Sequence, residues 1–178
     1  IAEILARRGV ASTQELELKL KHLLAPSLKG LNEAIQLMDA AIDQQHKIVI
    51  VGDYDADGAT STALMILALR EMGAQVEYLV PDRFKYGYGL TPAIADLAFT
   101  SFTPDLLITV DNGISSHDGV KQAQDHGMQV IITDHHLTTK PTPSAQAVVN
   151  PNQLGCDFPS KALAGVGVAF YVLANLST

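Results

Sequence analysis

Cysteine, long apolar runs and excess positive charge are what this sequence lacks. Its single cysteine, Cys156, can form no internal disulfide, which favours a reducing cytoplasm. No apolar stretch approaches the roughly 20 residues that a membrane helix needs, so we do not expect a membrane partner. Twelve basic residues face 19 acidic ones, for a net charge of −7, which argues against a broad basic surface for nucleic acid.

What the sequence does contain is enough apolar material for a substantial core. The 178 residues are 47% hydrophobic and 17% charged, as expected of a well-packed globular domain. Acidic side chains that bind metal ions would contribute to the negative charge. They would not exclude a polyanionic substrate, because bound cations reverse the local field.

The stretch over residues 47–58, KIVIVGDYDADG, predicts both the central strand of the fold and the position of its functional site. Its apolar run predicts a buried parallel strand, and a helical pattern follows over residues 58–71. Asp53, Asp55 and Asp57 therefore lie on a strand-to-helix turn, where α/β sheets place their sites. Three such carboxylates repel one another unless a cation joins them, so we predict a divalent metal site. The alternative is structural: an aspartate such as Asp57 could simply cap the helix.

Strand and helix patterns alternate along the rest of the chain. Four further strands are predicted over residues 75–80, 106–110, 129–133 and 147–149. Further helices are predicted from Thr91, with Pro92 at the first position, and over residues 115–126 and 158–176. This alternation predicts an α/β fold, a five-stranded parallel sheet with helices on both faces.

Three helical patterns precede the first strand, over residues 1–9, 14–24 and 31–45. We expect these helices to pack on or beside the sheet. The chain is therefore divided into an N-terminal helical segment, residues 1–46, and an α/β domain, residues 47–178.

Acidic and imidazole groups follow three of the predicted strands. In a parallel sheet all carboxyl ends lie on one edge, and neighbouring strands are about 5 Å apart, so these groups should meet in one pocket. The predicted catalytic set is Asp55, Asp57, Asp111, Asp134, His135 and His136. Its oxygen-rich character suits Mn²⁺ or Mg²⁺ better than structural Zn²⁺. Two ions could activate a water and stabilise a phosphoryl group during in-line displacement.

The loop over residues 81–90, PDRFKYGYGL, interleaves basic and aromatic side chains. A single nucleic acid strand needs such groups for phosphate contact and base stacking. The predicted substrate-binding residues are Arg83, Phe84, Lys85, Tyr86 and Tyr88. The alternative is an ordinary ordered loop with buried aromatics.

The motifs GDYDADG, VDNG and DHH, in that order on successive strands, resemble the DHH phosphoesterase family. Longer matches cover essentially the whole chain and are similar to the RecJ branch of 5′ to 3′ single-strand DNA exonucleases; they are ILARRG, GDYDADGATSTAL, PDRFKYGYGL, TDHH and GVGVAF. The resemblance implies metal-dependent hydrolysis of single-stranded DNA in repair and recombination, with Mn²⁺ or Mg²⁺. It also implies single-strand binding protein and a helicase as partners.

The resemblance also assigns roles to individual residues. Asp55, Asp57, Asp111 and His135 correspond to the metal ligands of RecJ-like enzymes. Three more residues match the motifs as supporting or substrate-contacting groups, Asp53, Asp134 and His136, and Asp53 is a further candidate ligand.

One part of the family pattern has no counterpart in this sequence. The fourth motif, an aspartate that bridges the metals beyond the helix at GVGVAF, would follow Thr178, and so would the second lobe that closes over DNA. The resemblance therefore implies an N-terminal fragment, truncated before the fourth motif, that folds but has little nuclease activity alone.

Two other functions fit parts of the pattern. Other DHH members act on short oligonucleotides or pyrophosphate, so an oligonucleotide phosphodiesterase or pyrophosphatase is one alternative. An acidic pocket at strand ends also describes phospho-accepting receiver domains. Those domains usually carry a lysine after the last strand, and the corresponding AVVNPN segment here has none.

Overall fold

A five-stranded parallel sheet forms the centre of the computed structural model, which describes residues 1–17 and 19–177. The strands are β1 (Lys47–Val51), β2 (Gln75–Leu79), β3 (Leu106–Val110), β4 (Gln129–Thr133) and β5 (Ala147–Val149). Their order across the sheet is β2-β1-β3-β4-β5, and every pair is parallel. The predicted fold class is confirmed.

The helices cover both faces of the sheet. They are α1 (Ala2–Arg7), α2 (Leu31–Asp43), α3 (Ala56–Glu71), α4 (Arg83–Tyr86), α5 (Pro92–Phe102), α6 (His117–Asp125) and α7 (Gly165–Leu173). One core cluster joins α2, α3 and α7 to one sheet face, and a second joins α5 and α6 to the other. Within the described ranges, no helix combines the length and the apolarity that crossing a membrane requires.

Burial on two faces explains the composition of the central strands. β3 is buried at every position, and β1 is buried at all but its first residue. Successive side chains in a strand point to opposite faces, so Ile50 joins the first core cluster and Val51 joins the second. In the register of β1 and β3, Val51 pairs with Thr109, which places the two strand ends side by side.

The N-terminal segment matches its prediction in part, since helix α1 lies within the predicted residues 1–9. Two short 3₁₀ helices, Thr13–Leu16 and Leu20–His22, stand where one helix was expected over residues 14–24, and Leu18 lies outside the described residues. Helix α1 buries none of its side chains. Helix α2 packs into the core as expected, because its buried stripe (Leu31, Ala34, Met38 and Ala41) faces the sheet. The division at residue 46 stays a prediction.

Two other helices begin at positions that the sequence pattern did not predict. Helix α7 starts at Gly165 rather than near Phe158, which is itself buried in the core. Pro159 disfavours a helical backbone at Phe158, the residue before it, whereas Asp57 accepts the N–H groups of Gly165 and Val166 where α7 begins. Helix α4 is a single turn within the predicted loop, capped by Asp82.

Candidate metal centre

The carboxyl edge of the sheet brings the predicted site residues together. Ligand atoms of Asp53, Asp55 and Asp111 lie within 4.8 Å of one another. Ligand atoms of Asp111, His135 and His136 form a second group within the same limit. Asp111 belongs to both groups because β3 lies between β1 and β4 in the sheet.

Asp111 is the most unusual carboxylate of this edge. It is 1% exposed, and its backbone is left-handed with a φ of 61°, which few non-glycine residues adopt. Among the described residues, neither of its carboxylate oxygens has a hydrogen-bond donor. Burial raises the pKa of Asp111 to about 7, and the charges of Asp57 and Asp55 add to this rise. A buried carboxylate with no donor is suited to a cation.

Asp57 caps a different helix from the one that contains it. Its two oxygens accept the backbone N–H groups of Gly165 and Val166, each at 2.7 Å, at the start of α7. The same carboxylate lies 3.5 Å from Nε2 of His135. A side chain at Gly165 would put a Cβ 2.6 Å from Oδ1 of Asp111, so glycine allows α7 to approach the cluster.

Asp55, and not Asp57, is the N-cap of α3. Its Oδ1 accepts the N–H of Gly58 at 2.9 Å, and this backbone hydrogen bond lowers the pKa of Asp55. The helix-capping role considered for Asp57 at α3 is therefore filled by Asp55. Asp55 is solvent-exposed, so it retains room for a ligand at the mouth of the site.

His135 is oriented by a backbone carbonyl. Its Nδ1 lies 2.9 Å from the oxygen of Leu163, which can only accept, so Nδ1 carries the hydrogen. Nε2 then faces the site, 3.1 Å from Oδ1 of Asp111, where a neutral ring would offer its lone pair to a metal ion. Ligand histidines in metal proteins are commonly oriented in this way through their second nitrogen.

Asp134 acts on its neighbours through hydrogen bonds. It is buried, and it accepts the N–H groups of Ile114, His135 and His136 as well as Nδ1 of the His136 ring at 2.7 Å. Burial alone would raise the pKa of Asp134, but hydrogen bonds from His136 and Ile114 outweigh it and lower that pKa. The same bond raises the pKa of His136. Asp134 thus supports the cluster and orients His136.

Asp53 joins the predicted DNA loop to the metal cluster. Its Oδ1 lies 2.6 Å from Nη2 of Arg83, and the Arg83 guanidinium also lies 5.8 Å from the ring centre of Tyr88. The hydroxyl of Tyr88 is 3.3 Å from Nε2 of His136. Arg83 and Tyr88 therefore border the cluster directly.

The other aromatics of the loop have different surroundings. Phe84 is 95% exposed, so its ring is free to stack on a base. Tyr86 packs against the second core cluster, and the Lys85 ammonium lies 4.9 Å from its ring centre. Tyr86 therefore fits the structural alternative better than the stacking role.

Asparagines at the same edge were not among the predicted site residues. Asn112 donates to the carbonyls of Val51 and Val110 and so joins the ends of β1 and β3. Asn150 and Asn152, which follow β5, donate to the carbonyls of His136 and His135. Their position after the fifth strand was a signal for a supporting role, since all strand ends share this edge.

The donor set fits Mn²⁺ or Mg²⁺. Carboxylate oxygens dominate it and an imidazole nitrogen completes it, whereas thiolates are absent from the cluster among the described residues. The Asp111 carboxylate, buried and with no donor from residues 1–17 or 19–177, is the clearest structural sign that this edge is built for a cation.

Comparison with known proteins relates this site to a family. Residues 47–178 match the DHH family, N-terminal domain. The chain is 49% identical over 180 residues to the single-stranded-DNA-specific exonuclease RecJ of Escherichia coli (strain K12), covering 100% of this chain and 31% of that protein. Neither the signalling alternative nor the small-substrate alternative is favoured by these matches.

Solved structures agree with the sequence comparison. RecJ of Thermus thermophilus in complex with Mn²⁺ superposes with a TM-score of 0.77 and 35% identity, over 95% of this chain and 23% of that one. The same organism's RecJ in complex with Mg²⁺ gives a TM-score of 0.59 and 32% identity, over 95% and 19% of the two chains.

The matches cover most of this chain but a smaller part of each relative. The chain spans 31% of the length of its Escherichia coli relative. The family match covers residues 47–178, which is most of the chain, and the protein therefore belongs to the DHH family.

Proposed function

We propose that the protein containing this chain hydrolyses phosphodiester bonds of single-stranded DNA from the 5′ end, using Mn²⁺ or Mg²⁺, in DNA repair and recombination. The observation that carries the proposal is the position of Asp111 between two groups of potential ligands, buried and without a hydrogen-bond donor in the part of the chain that the structure describes. The 49% identity to a RecJ exonuclease supports the choice of substrate.

The proposed ligands are Asp55, Asp57, Asp111 and His135, with Asp53 as a further candidate. A divalent ion held by such groups supplies an activated water and neutralises charge on the phosphoryl group. Asp111 faces both ligand groups and is the residue suited to serve two ions. Asp57 contributes its carboxylate from a fixed position, since α7 holds both oxygens.

His135 and His136 divide the remaining tasks. His135 directs Nδ1 at the carbonyl of Leu163, which leaves Nε2 facing the site as a ligand atom. His136 is half-buried at the rim, and its bond to Asp134 raises its pKa, which favours a ring that carries a proton. A protonated His136 can donate a hydrogen bond to a phosphate oxygen or a proton to the leaving oxygen.

Phe84 is the proposed stacking residue of the loop, with Arg83 beside it as a phosphate contact. Arg83 is anchored by Asp53, so its guanidinium lies next to the acidic cluster where a scissile phosphate would bind. Lys85 adds positive charge on the same short helix.

Phe84→Ala should weaken single-strand binding by the complete protein by about 1 to 3 kcal/mol, because it removes an exposed stacking face. Tyr86→Ala is the matched control and should instead lower the free energy of unfolding by about 1 to 3 kcal/mol, since Tyr86 packs on the core. Fluorescence anisotropy with labelled oligonucleotides and urea denaturation measure the two effects. Equal DNA affinity of wild type and Phe84→Ala would return Phe84 to a structural role.

The function itself is tested with the complete protein and 5′-labelled single-stranded DNA in the presence of Mn²⁺. We expect stepwise release of nucleotides from the 5′ end, little digestion of duplex DNA, and loss of activity in Asp111→Ala. Dinucleotides and pyrophosphate serve as competing substrates. Faster turnover of either small substrate than of long DNA would contradict the proposed substrate class.

Partners and location are part of the same proposal. Single-strand binding protein and a helicase would supply the unpaired substrate that such an exonuclease needs. A cytoplasmic location is supported by Cys156, which is buried as a free thiol.

A further inference from the structure

We propose that Asn152 is a positioning residue that sets the ring of His135 for metal binding. The inference rests on the proposed metal-dependent function and adds to it a residue outside the ligand set. Asn152 lies beyond β5, in the turn that follows the fifth strand, and its side chain points back toward the DHH segment.

The Asn152 amide joins two loops that shape the site. Its Nδ2 donates to the carbonyl of His135 at 2.6 Å and to the carbonyl of Lys161 at 3.1 Å. One NH₂ group thus uses both hydrogens, each on a different loop. The first loop, which follows β4, carries His135. The second loop, residues 161–164, leads into α7.

The second loop and the start of α7 carry the contacts that orient His135 and Asp57. Leu163 presents its carbonyl to Nδ1 of His135, and Gly165 and Val166 present their N–H groups to Asp57. The spacing between His135 and Leu163 therefore depends on a link that holds residue 161 at a fixed distance from residue 135. Asn152 provides that link.

Asn152 is itself held firmly. Its backbone N–H donates to Oδ1 of Asn150 at 2.7 Å, and Nδ2 of the buried Asn150 donates to the carbonyl of His136. The Lys161 ammonium donates to the carbonyls of Pro151 and Cys156, each at 2.7 Å. Hydrogen bonds from Asn152 and from Lys161 thus connect the turn to the second loop. Of these two residues, Asn152 is the one that also bonds to His135.

Removal of this amide should change the hydrogen position on His135. When Leu163 moves away, the Nδ1–H bond weakens, and the neutral ring can place its hydrogen on Nε2 instead. Nε2 would then offer a donor where a metal needs a lone pair. Misoriented ligands of this kind typically cost about 10- to 100-fold in metal affinity.

The test compares Asn152→Ala with Gln153→Ala. Gln153 is the adjacent residue, and its Nε2 likewise donates to two carbonyls, those of Lys29 and Val148, but neither leads to the cluster. Two readouts apply to wild type and both variants: which ring nitrogens of His135 carry a hydrogen, by ¹⁵N NMR of metal-free protein, and the Mn²⁺ dissociation constant.

We expect an Nδ1–H ring in wild type and Gln153→Ala, and a mixture of tautomers with about 10- to 100-fold weaker Mn²⁺ binding in Asn152→Ala. Asn152→Ser keeps one donor and should fall between them, which also provides a milder variant if the alanine protein does not fold. An unchanged tautomer in Asn152→Ala or Asn152→Ser, or an Nε2–H ring in wild type, would overturn the proposal. Wild type that binds no Mn²⁺ contradicts the proposed function instead, and the metal-free tautomer still decides the role of Asn152.

Discussion

Replacement of Asp111 by asparagine should remove the stabilisation by Mn²⁺ and at the same time make the metal-free chain more stable. Both effects have one cause. The carboxylate is buried, has no hydrogen-bond donor within the described residues and faces Asp55 and Asp57, so its charge is unfavourable until a cation arrives. Asparagine has no charge to desolvate, and its amide can donate to Nε2 of His135, 3.1 Å from Oδ1 in the wild type.

The pH dependence of this effect follows from the raised pKa of Asp111, about 7 against an ordinary value of 3.8. Because the folded state binds this proton more tightly, the contribution of Asp111 to the stability of the metal-free wild type is most favourable below about pH 4 and is lost as the pH rises through about 7. The advantage of Asp111→Asn should therefore be near zero at about pH 4 and reach about 1 to 4 kcal/mol at about pH 8.

Urea denaturation at both pH values, with EDTA and with Mn²⁺, measures the Asp111→Asn effect. The exposed Asp157→Asn is the matched control and should change neither the stability nor the response to metal. In the wild type, Mn²⁺ at a hundredfold excess over its dissociation constant should add about 2.7 kcal/mol. A wild-type response to Mn²⁺ that persists in Asp111→Asn would remove Asp111 from the ligand set.

Asp57→Ala should have the opposite effect on the metal-free chain. It leaves the N–H groups of Gly165 and Val166 without their acceptor at the start of α7, so we expect a loss of about 1 to 3 kcal/mol even with EDTA present. Stabilisation by Mn²⁺ should also disappear. Hydrogen exchange provides the specific measurement, because the amides of Gly165 and Val166 should lose protection.

Asp55→Ala is the control for the loss of a helix cap. It removes the N-cap of α3 and should cost about 1 kcal/mol, with faster exchange at Gly58 and normal protection in α7. Equal exchange of the α7 amides in wild type and Asp57→Ala would mean that water or another group replaces this carboxylate without cost.

The sheet, and the presence of acidic residues along its carboxyl edge, could be predicted because both depend on short-range sequence patterns. β3 and β4 have the predicted bounds, since apolar runs between turn residues identify buried strands. Once the strands are parallel, the carboxyl ends share an edge, and Asp55, Asp111 and His135 must approach one another. How closely they approach depends on the strand order, in which β3 lies between β1 and β4.

The finer arrangement depends on contacts between distant residues. The left-handed backbone of Asp111, the start of α7 at Gly165 and the pairing of Arg83 with Asp53 each depend on a partner from another element. The burial of Tyr86 had the same origin, since the alternation of aromatic and basic residues does not say which ring meets the core. Residue spacing along one segment contains no information about such partners.

The hydrogen bonds from residues 165 and 166 to Asp57 have a consequence for biosynthesis. A ribosome releases the chain from its N-terminus, so β1, β2 and β3 emerge well before α7 does. During that interval Asp55, Asp57 and Asp111 can already gather at one edge, while the groups that hold Asp57 and orient His135 have not yet been made. A nascent chain that stops short of residue 166 should therefore capture metal poorly, and the ion is expected to enter only after translation has passed the start of α7.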